Sequence, residues 1–139
     1  MNKPKKPKII SGVYCIKCKS LNKHYIGSSS NVMRRLNTHK LELSRGSHNN
    51  RALQYDYDKY GESDFEFKIV MKDIEDEMLF AYEKCFMYIY DSVVRYKGYN
   101  QMFPTTNHKL FKQAYEDLKE KGVISDKQNW LEWLLLWNS

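Results

Sequence analysis

With 139 residues, 42% of them hydrophobic and 14% aromatic, the chain can build one domain with a real core, which excludes disorder throughout. No apolar run approaches the ~20 residues that span a bilayer, and no apolar stretch follows the basic start, so the expectation is a soluble intracellular protein without a secretory signal. The net charge is +6, from 23 Lys and Arg against 17 Asp and Glu, but Lys3, Lys5, Lys6 and Lys8 fall in the first eight residues and leave only +2 for the rest, so charge alone points weakly to nucleic acid.

Residues 1–9, in which Lys alternates with Pro near the start, read as a flexible basic tail, a solvated arm or one that touches phosphates. Short β-like runs follow at about Ser11–Lys17 and Lys23–Ser28, joined by the polar turn Lys19-Ser20-Leu21-Asn22-Lys23, which would bring Tyr14 and Tyr25 side by side on paired strands. Ser28-Ser29-Ser30-Asn31 offers N-caps to a helix ending near Leu43, with Val32, Met33, Leu36 and Leu43 as its apolar stripe and Arg35 and His39 sharing one edge. Ser44–Asn50 reads as an exposed loop and Arg51–Tyr60 as a helix stopped by Gly61.

Ser63–Lys72 alternates, with Phe65, Phe67, Ile69 and Met71 on one face, as a half-exposed strand does. Asp73, Glu75, Asp76 and Glu77 load acid onto the start of a helix running to about Tyr90, whose stripe is Leu79, Tyr82, Phe86 and Ile89. Glu83 interrupts that stripe. A carboxylate there is costly unless it is paired or holds a metal, or it sits at the stripe edge and reaches a nearby Lys or Arg. Ser92–Phe103 is a loop around Gly98-Tyr99-Asn100, and two helices follow at about Asn107–Lys121 and Asp126–Asn138, the second dense in Trp and Leu. Cys15-x-x-Cys18 lacks a second ligand pair for structural zinc, which Cys85 and one histidine could in principle complete, against the reading of all three as reduced, mostly buried thiols. His24 and His108 read as surface residues.

Gly12-Val13-Tyr14 and Tyr25-Ile26-Gly27, followed by Arg35, His39, Glu83 and Asn100 in that order, resemble the signature of the GIY-YIG nuclease family, with Val13 where the first tripeptide usually has Ile. The resemblance covers roughly Ser11–Asn100, and the motif spacing is similar to the catalytic domains of phage homing endonucleases. It implies an α+β domain over 10–103, a small three-stranded antiparallel sheet flanked by helices, with two appended C-terminal helices over 104–139. It also implies that Tyr14, Tyr25, Arg35, His39, His48, Glu83 and Asn100 are catalytic. Glu83 would be the metal ligand, normally for a single Mg²⁺ (or Mn²⁺), and Arg34 competes with Arg35 for the arginine's place.

Phosphodiester hydrolysis builds negative charge on phosphorus, which an arginine and a divalent cation stabilise. The attacking water needs a base. The resemblance makes it Tyr14, assisted by Tyr25, with His39 and His48 as alternatives. A phenol ordinarily ionises near pH 10 and needs help from cations such as Lys23, His39 or the metal. Lys23, Arg34, Lys40, Arg45 and Arg51 are the candidate DNA contacts.

The expected substrate is double-stranded DNA, nicked by a monomer or cut on both strands by a weak homodimer. The competing readings are a non-catalytic DNA-binding module, a dimeric restriction-type enzyme and an RNA substrate. The expected location is the cytoplasm, that of an infected host cell if the chain is phage-borne.

Overall fold

The computed structural model describes residues 8–94 and 97–125. The stretch Gly12–Cys18, rich in β-branched and aromatic residues, forms β1. A tight turn with Asn22 in the left-handed region (φ 48°) returns the chain as β2, Lys23–Ser29. The third strand, β3 at Phe65–Lys72, joins the other side of β1, so the sheet order is β2-β1-β3 with both pairings antiparallel.

Helix α1 spans Val32–Ser44, N-capped by the Asn31 side chain, and α2 spans Arg51–Tyr60, capped by Asn50 and ended at Gly61, whose φ of 86° is the conformation a side chain would resist. A 3₁₀ turn at Asp76–Met78 leads into α3, Leu79–Ile89, and α4 runs over His108–Glu120 behind the Asn107 cap. This is the α+β architecture expected, with helices on both faces of a three-stranded sheet.

One face of the sheet presents Tyr14, Ile16 and Cys18 to α1 and α2, where Val32, Leu36, Leu43 and Leu53 close a core. The other presents Val13, Cys15 and Ile26 to α3 and α4. From α4 come Phe111, Tyr115 and Leu118, each burial worth roughly 1.5–3 kcal/mol, which is what holds a helix of this length in place. Cys15 and Cys18 point to opposite faces, so they cannot share a metal; with Cys85 they are buried free thiols.

Several expectations are corrected by the packing. Tyr14 pairs across β2 with Gly27 and Tyr25 with Ile16, so the two tyrosines are diagonal neighbours on one face rather than side by side. The alternation of β3 does not run to its end. A bulge at Val70 puts Ile69 opposite Tyr14 but Met71 opposite Val13, which moves Met71 to the α3 face. In α1 the buried row is Val32, Leu36, His39 and Leu43, and Met33 is exposed.

Ile89 is only half-buried, while Ala81, Cys85 and Met87 are buried in α3. His24 is not on the surface but buried against the Tyr90 ring. Most of the basic tail, and the Trp-rich segment at 126–138, lie outside the described residues.

Candidate active site

The sheet positions the two phenols through an absence. A Cβ on Gly27 would lie 2.3 Å from both Cζ and Oη of Tyr14, so only glycine lets the Tyr14 ring cross over β2. Tyr14 is 2% exposed, while Tyr25, two residues away on the same face, is half-buried. Burial raises both phenols above their ordinary value, and for Tyr14 the neighbouring Tyr25 adds to it. The cation opposing this is Arg35, whose guanidinium faces both rings. Lys23, expected to help, is committed elsewhere: it pairs with Asp56 at 3.7 Å and covers the Tyr99 ring at 4.5 Å.

The imidazole of His39 projects from α1 between the two phenols, 5.3 Å from the Tyr14 ring and 5.4 Å from the Tyr25 ring. It is 1% exposed rather than at the helix edge. Nε2 lies 2.7 Å from the Tyr14 oxygen, and Nδ1 lies 2.7 Å from Nε2 of His48. Burial, then the Arg35 charge, lowers His39 to about 3, and burial lowers His48 as well. His39 is therefore neutral at physiological pH and cannot be a cation that eases Tyr14 ionisation. The loop carrying His48 is also not simply exposed. His48 is buried, and its N–H donates to the buried Gln54 side chain at 3.0 Å.

Glu83 reaches the site from α3, against the opposite face of the sheet. Its carboxylate accepts a hydrogen bond from the Ser28 hydroxyl at 3.3 Å and one from the Ser28 backbone, but burial dominates and pushes it up to about 7. Among the described residues those are the groups acting on it, and none of them is a lysine or arginine. The charge of Glu83 is felt by both Tyr14 and Tyr25, as is that of Arg35, so the two phenols lie within electrostatic reach of both the carboxylate and the guanidinium.

The remaining candidates separate. Tyr25, Arg35, His39 and His48 line a groove of about 400 Å³ together with Glu42, Gln101 and Met102. Asn100 borders it, but its side-chain amide bonds both ways to the Ile26 backbone, at 2.8 Å each, and so clasps the edge of β2. Arg34 lines an adjoining hollow of about 340 Å³ with Ser29, Asn31, Arg35 and Thr38. Lys40 lies over the Phe67 ring and Arg45 caps the far end of α1, both away from the groove, and Arg51 is exposed at the start of α2. A larger hollow of about 700 Å³, lined by Lys40, Tyr57, Phe65 and Phe67, holds none of the expected catalytic groups.

Four participants escaped the sequence reading: Ser28, Glu42, Asn50 and Gln54. Only Glu42 had a local signal, since it follows Arg35 by seven and His39 by three on one helical face. Glu42 acts on Tyr25 and His48 from the groove wall.

A family model described as the GIY-YIG catalytic domain matches residues 10–100. Two solved structures of the catalytic domain of intron (homing) endonuclease I-TevI are similar. One, a point variant, is 29% identical with a TM-score of 0.60, covering 71% of this chain and all of that one. The other is 30% identical with a TM-score of 0.59, covering 66% of this chain and 98% of that one. No curated protein matches the chain significantly.

Proposed function

The chain belongs to the GIY-YIG family and is a nuclease, and from that premise we propose that it is a DNA endonuclease of homing-enzyme type that nicks one strand per binding event with a single divalent cation. The observation that carries this reading is that Tyr14 and Tyr25, beside an open groove, both feel the charges of Arg35 and Glu83. A phosphodiester is anionic and gains charge at the transition state, and Arg35 is the fixed cation facing both phenols. Its planar fork suits two phosphate oxygens at once.

Glu83 fits a metal by its chemistry. It is a half-buried carboxylate whose donors, among the described residues, come from Ser28, so a cation would supply further compensation for its burial. No group of three His, Cys, Asp or Glu side chains among the described residues could hold an ion. The fit is therefore to an ion held by one carboxylate and otherwise by water and substrate oxygens, as Mg²⁺ commonly is. When bound, such an ion supplies positive charge to the transition state and makes the nearby phenols easier to ionise.

The protein's own groups then divide the work. Tyr14, as phenolate, takes a proton from the attacking water; one P–O bond forms to that oxygen as the P–O bond to the leaving nucleotide oxygen breaks. Tyr25 packs beside it, and Arg34 extends the phosphate track beyond Arg35. Asn100 is a positioning residue that fixes β2, on which Tyr25 stands.

The test is supercoiled plasmid incubated with Mg²⁺ and wild type, Glu83→Ala or Arg35→Ala. Open circles with wild type alone support a nickase. Linear product as the first species means paired sites. Intact supercoil with DNA binding retained would overturn catalysis in favour of a binding module.

A further inference from the structure

The hydrogen bonds around His39 have a direction, set at one end by the backbone. The N–H of Asn50 lies 3.0 Å from Nδ1 of His48. An amide N–H can only donate, so Nδ1 of His48 is the acceptor and its ring proton sits on Nε2. That nitrogen faces Nδ1 of His39 at 2.7 Å, with the ring planes 23° apart, so His48 donates and His39 accepts. The His39 proton is then on Nε2, 2.7 Å from the Tyr14 oxygen. We propose that the Asn50 amide and the His48 imidazole are positioning groups that lock His39 in the Nε2–H tautomer, so that it donates to Tyr14 rather than accepting from it.

The lock is itself held. Asn50 caps α2 by accepting from the Leu53 N–H at 3.1 Å and donates to the Tyr99 carbonyl at 2.6 Å. Gln54 accepts from the His48 N–H and donates to the Leu43 carbonyl at 3.0 Å, tying the loop to the end of α1. Neither imidazole can gain a second proton without turning an N–H toward another N–H. Burial and the Arg35 charge push His39 toward its neutral form as well. The chemical consequence is an assignment. With His39 donating and Arg35 facing it, the Tyr14 oxygen is prepared as an acceptor, and its own O–H has to point away from His39. The base is then Tyr14, and the histidines prepare it without taking the proton of the attacking water.

This inference rests on the proposed nuclease reading for its consequence but not for its test. Long-range ¹H–¹⁵N spectra of the wild-type protein report each histidine's tautomer directly. His39 and His48 are expected as neutral Nε2–H forms between pH 6 and 8. His39 seen as the Nδ1–H form, or as imidazolium at pH 7, would overturn the proposal without any variant.

His48→Phe keeps the ring but removes the donor. It is expected to release the His39 tautomer and lower the nicking kcat on the order of tenfold to 100-fold with KM for DNA unchanged. His48→Gln, whose amide can still donate, should restore both. An unchanged His39 tautomer in His48→Phe would overturn the lock. Locked tautomers in a wild type that cleaves no DNA would support the lock and overturn the nuclease reading instead.

Discussion

Glu83→Gln is expected to stabilise the metal-free protein above pH 7 while abolishing metal-dependent cleavage. In the unfolded chain the carboxyl ionises at an ordinary 4.5, and in the fold at about 7, because burial outweighs the two Ser28 donors. Below pH 4.5 it is neutral in both states and contributes no difference. As pH rises through 7, the folded chain must bury a charge that the unfolded chain hydrates freely, so stability is lost. At about 1.4 kcal/mol for each tenfold, the interval from 4.5 to about 7 comes to about 3 kcal/mol by pH 8. Glutamine keeps the shape, still accepts from Ser28, and carries no charge. Chemical and thermal denaturation at pH 4 and pH 8 should therefore give equal stabilities at pH 4. At pH 8 the variant should lead by about 3 kcal/mol, or roughly 10 °C in Tm. Adding Mg²⁺ at pH 8 should raise the melting temperature of the wild type and leave the variant's unmoved. A gap that does not change with pH, or a less stable variant at pH 8, would show that the folded chain already compensates the carboxylate.

Gly27→Ala should lower cleavage sharply, because its Cβ meets the Tyr14 ring at 2.3 Å, with a stability loss of about 1–3 kcal/mol from overpacking measurable by denaturation. Near-wild-type nicking by that variant would mean that the Tyr14 placement is unimportant. Burial and Tyr25 hold the Tyr14 phenol above its ordinary value, so a reaction using its phenolate gains about tenfold in reactive form per pH unit, and initial rates with saturating Mg²⁺ should climb through pH 6–8. A flat profile would remove Tyr14 as base. Asn100→Ala strips both partners from the Ile26 backbone and should cost about 2–6 kcal/mol at about 1–3 kcal/mol per buried orphan. If Asn100 only positions β2, cleavage at low temperature, where the variant is still folded, should fall far less than in Arg35→Ala.

The fold was legible wherever the signal was local. Gly61 stopping α2, Asn107 capping α4 and the polar turn before Lys23 are each written within a few residues. The bulge in β3 was legible too, in hindsight, since Val70 puts an apolar residue in a slot that the alternation reserves for a charge. His39 sits at the position in the row Val32, Leu36, His39, Leu43 that a core residue would take, and its burial follows from that spacing. What could not be read was long-range pairing. Asn100 meets Ile26 from 74 residues away, and Ser28 meets Glu83 from 55. No periodicity encodes which backbone group a distant amide will find, so Asn100 reads as a site residue by its place in a motif while its atoms are bound to the edge of β2.

Burial treats the ionisable groups of this site alike, pushing each toward its neutral form: Tyr14, Tyr25 and Glu83 upward, His39 and His48 downward. Arg35, exposed on α1, is left as the fixed charge facing the phenols. A site of that kind is poor at chemistry by itself and well matched to ligands that bring charge of their own. With its ionisation pushed up to about 7, the Glu83 carboxyl is partly protonated at neutral pH, so a cation competes there with a proton, and its arrival offsets the cost of a buried charge instead of adding one. The phenols respond in the same direction, since added positive charge favours phenolate, while the histidines, locked as donors, do not respond at all. Proton transfer is thereby confined to the Tyr14 oxygen. The same geometry explains how the resting protein tolerates a carboxyl between apolar neighbours on α3: near neutral pH it keeps much of its proton, at the cost in stability that the Glu83→Gln comparison would measure.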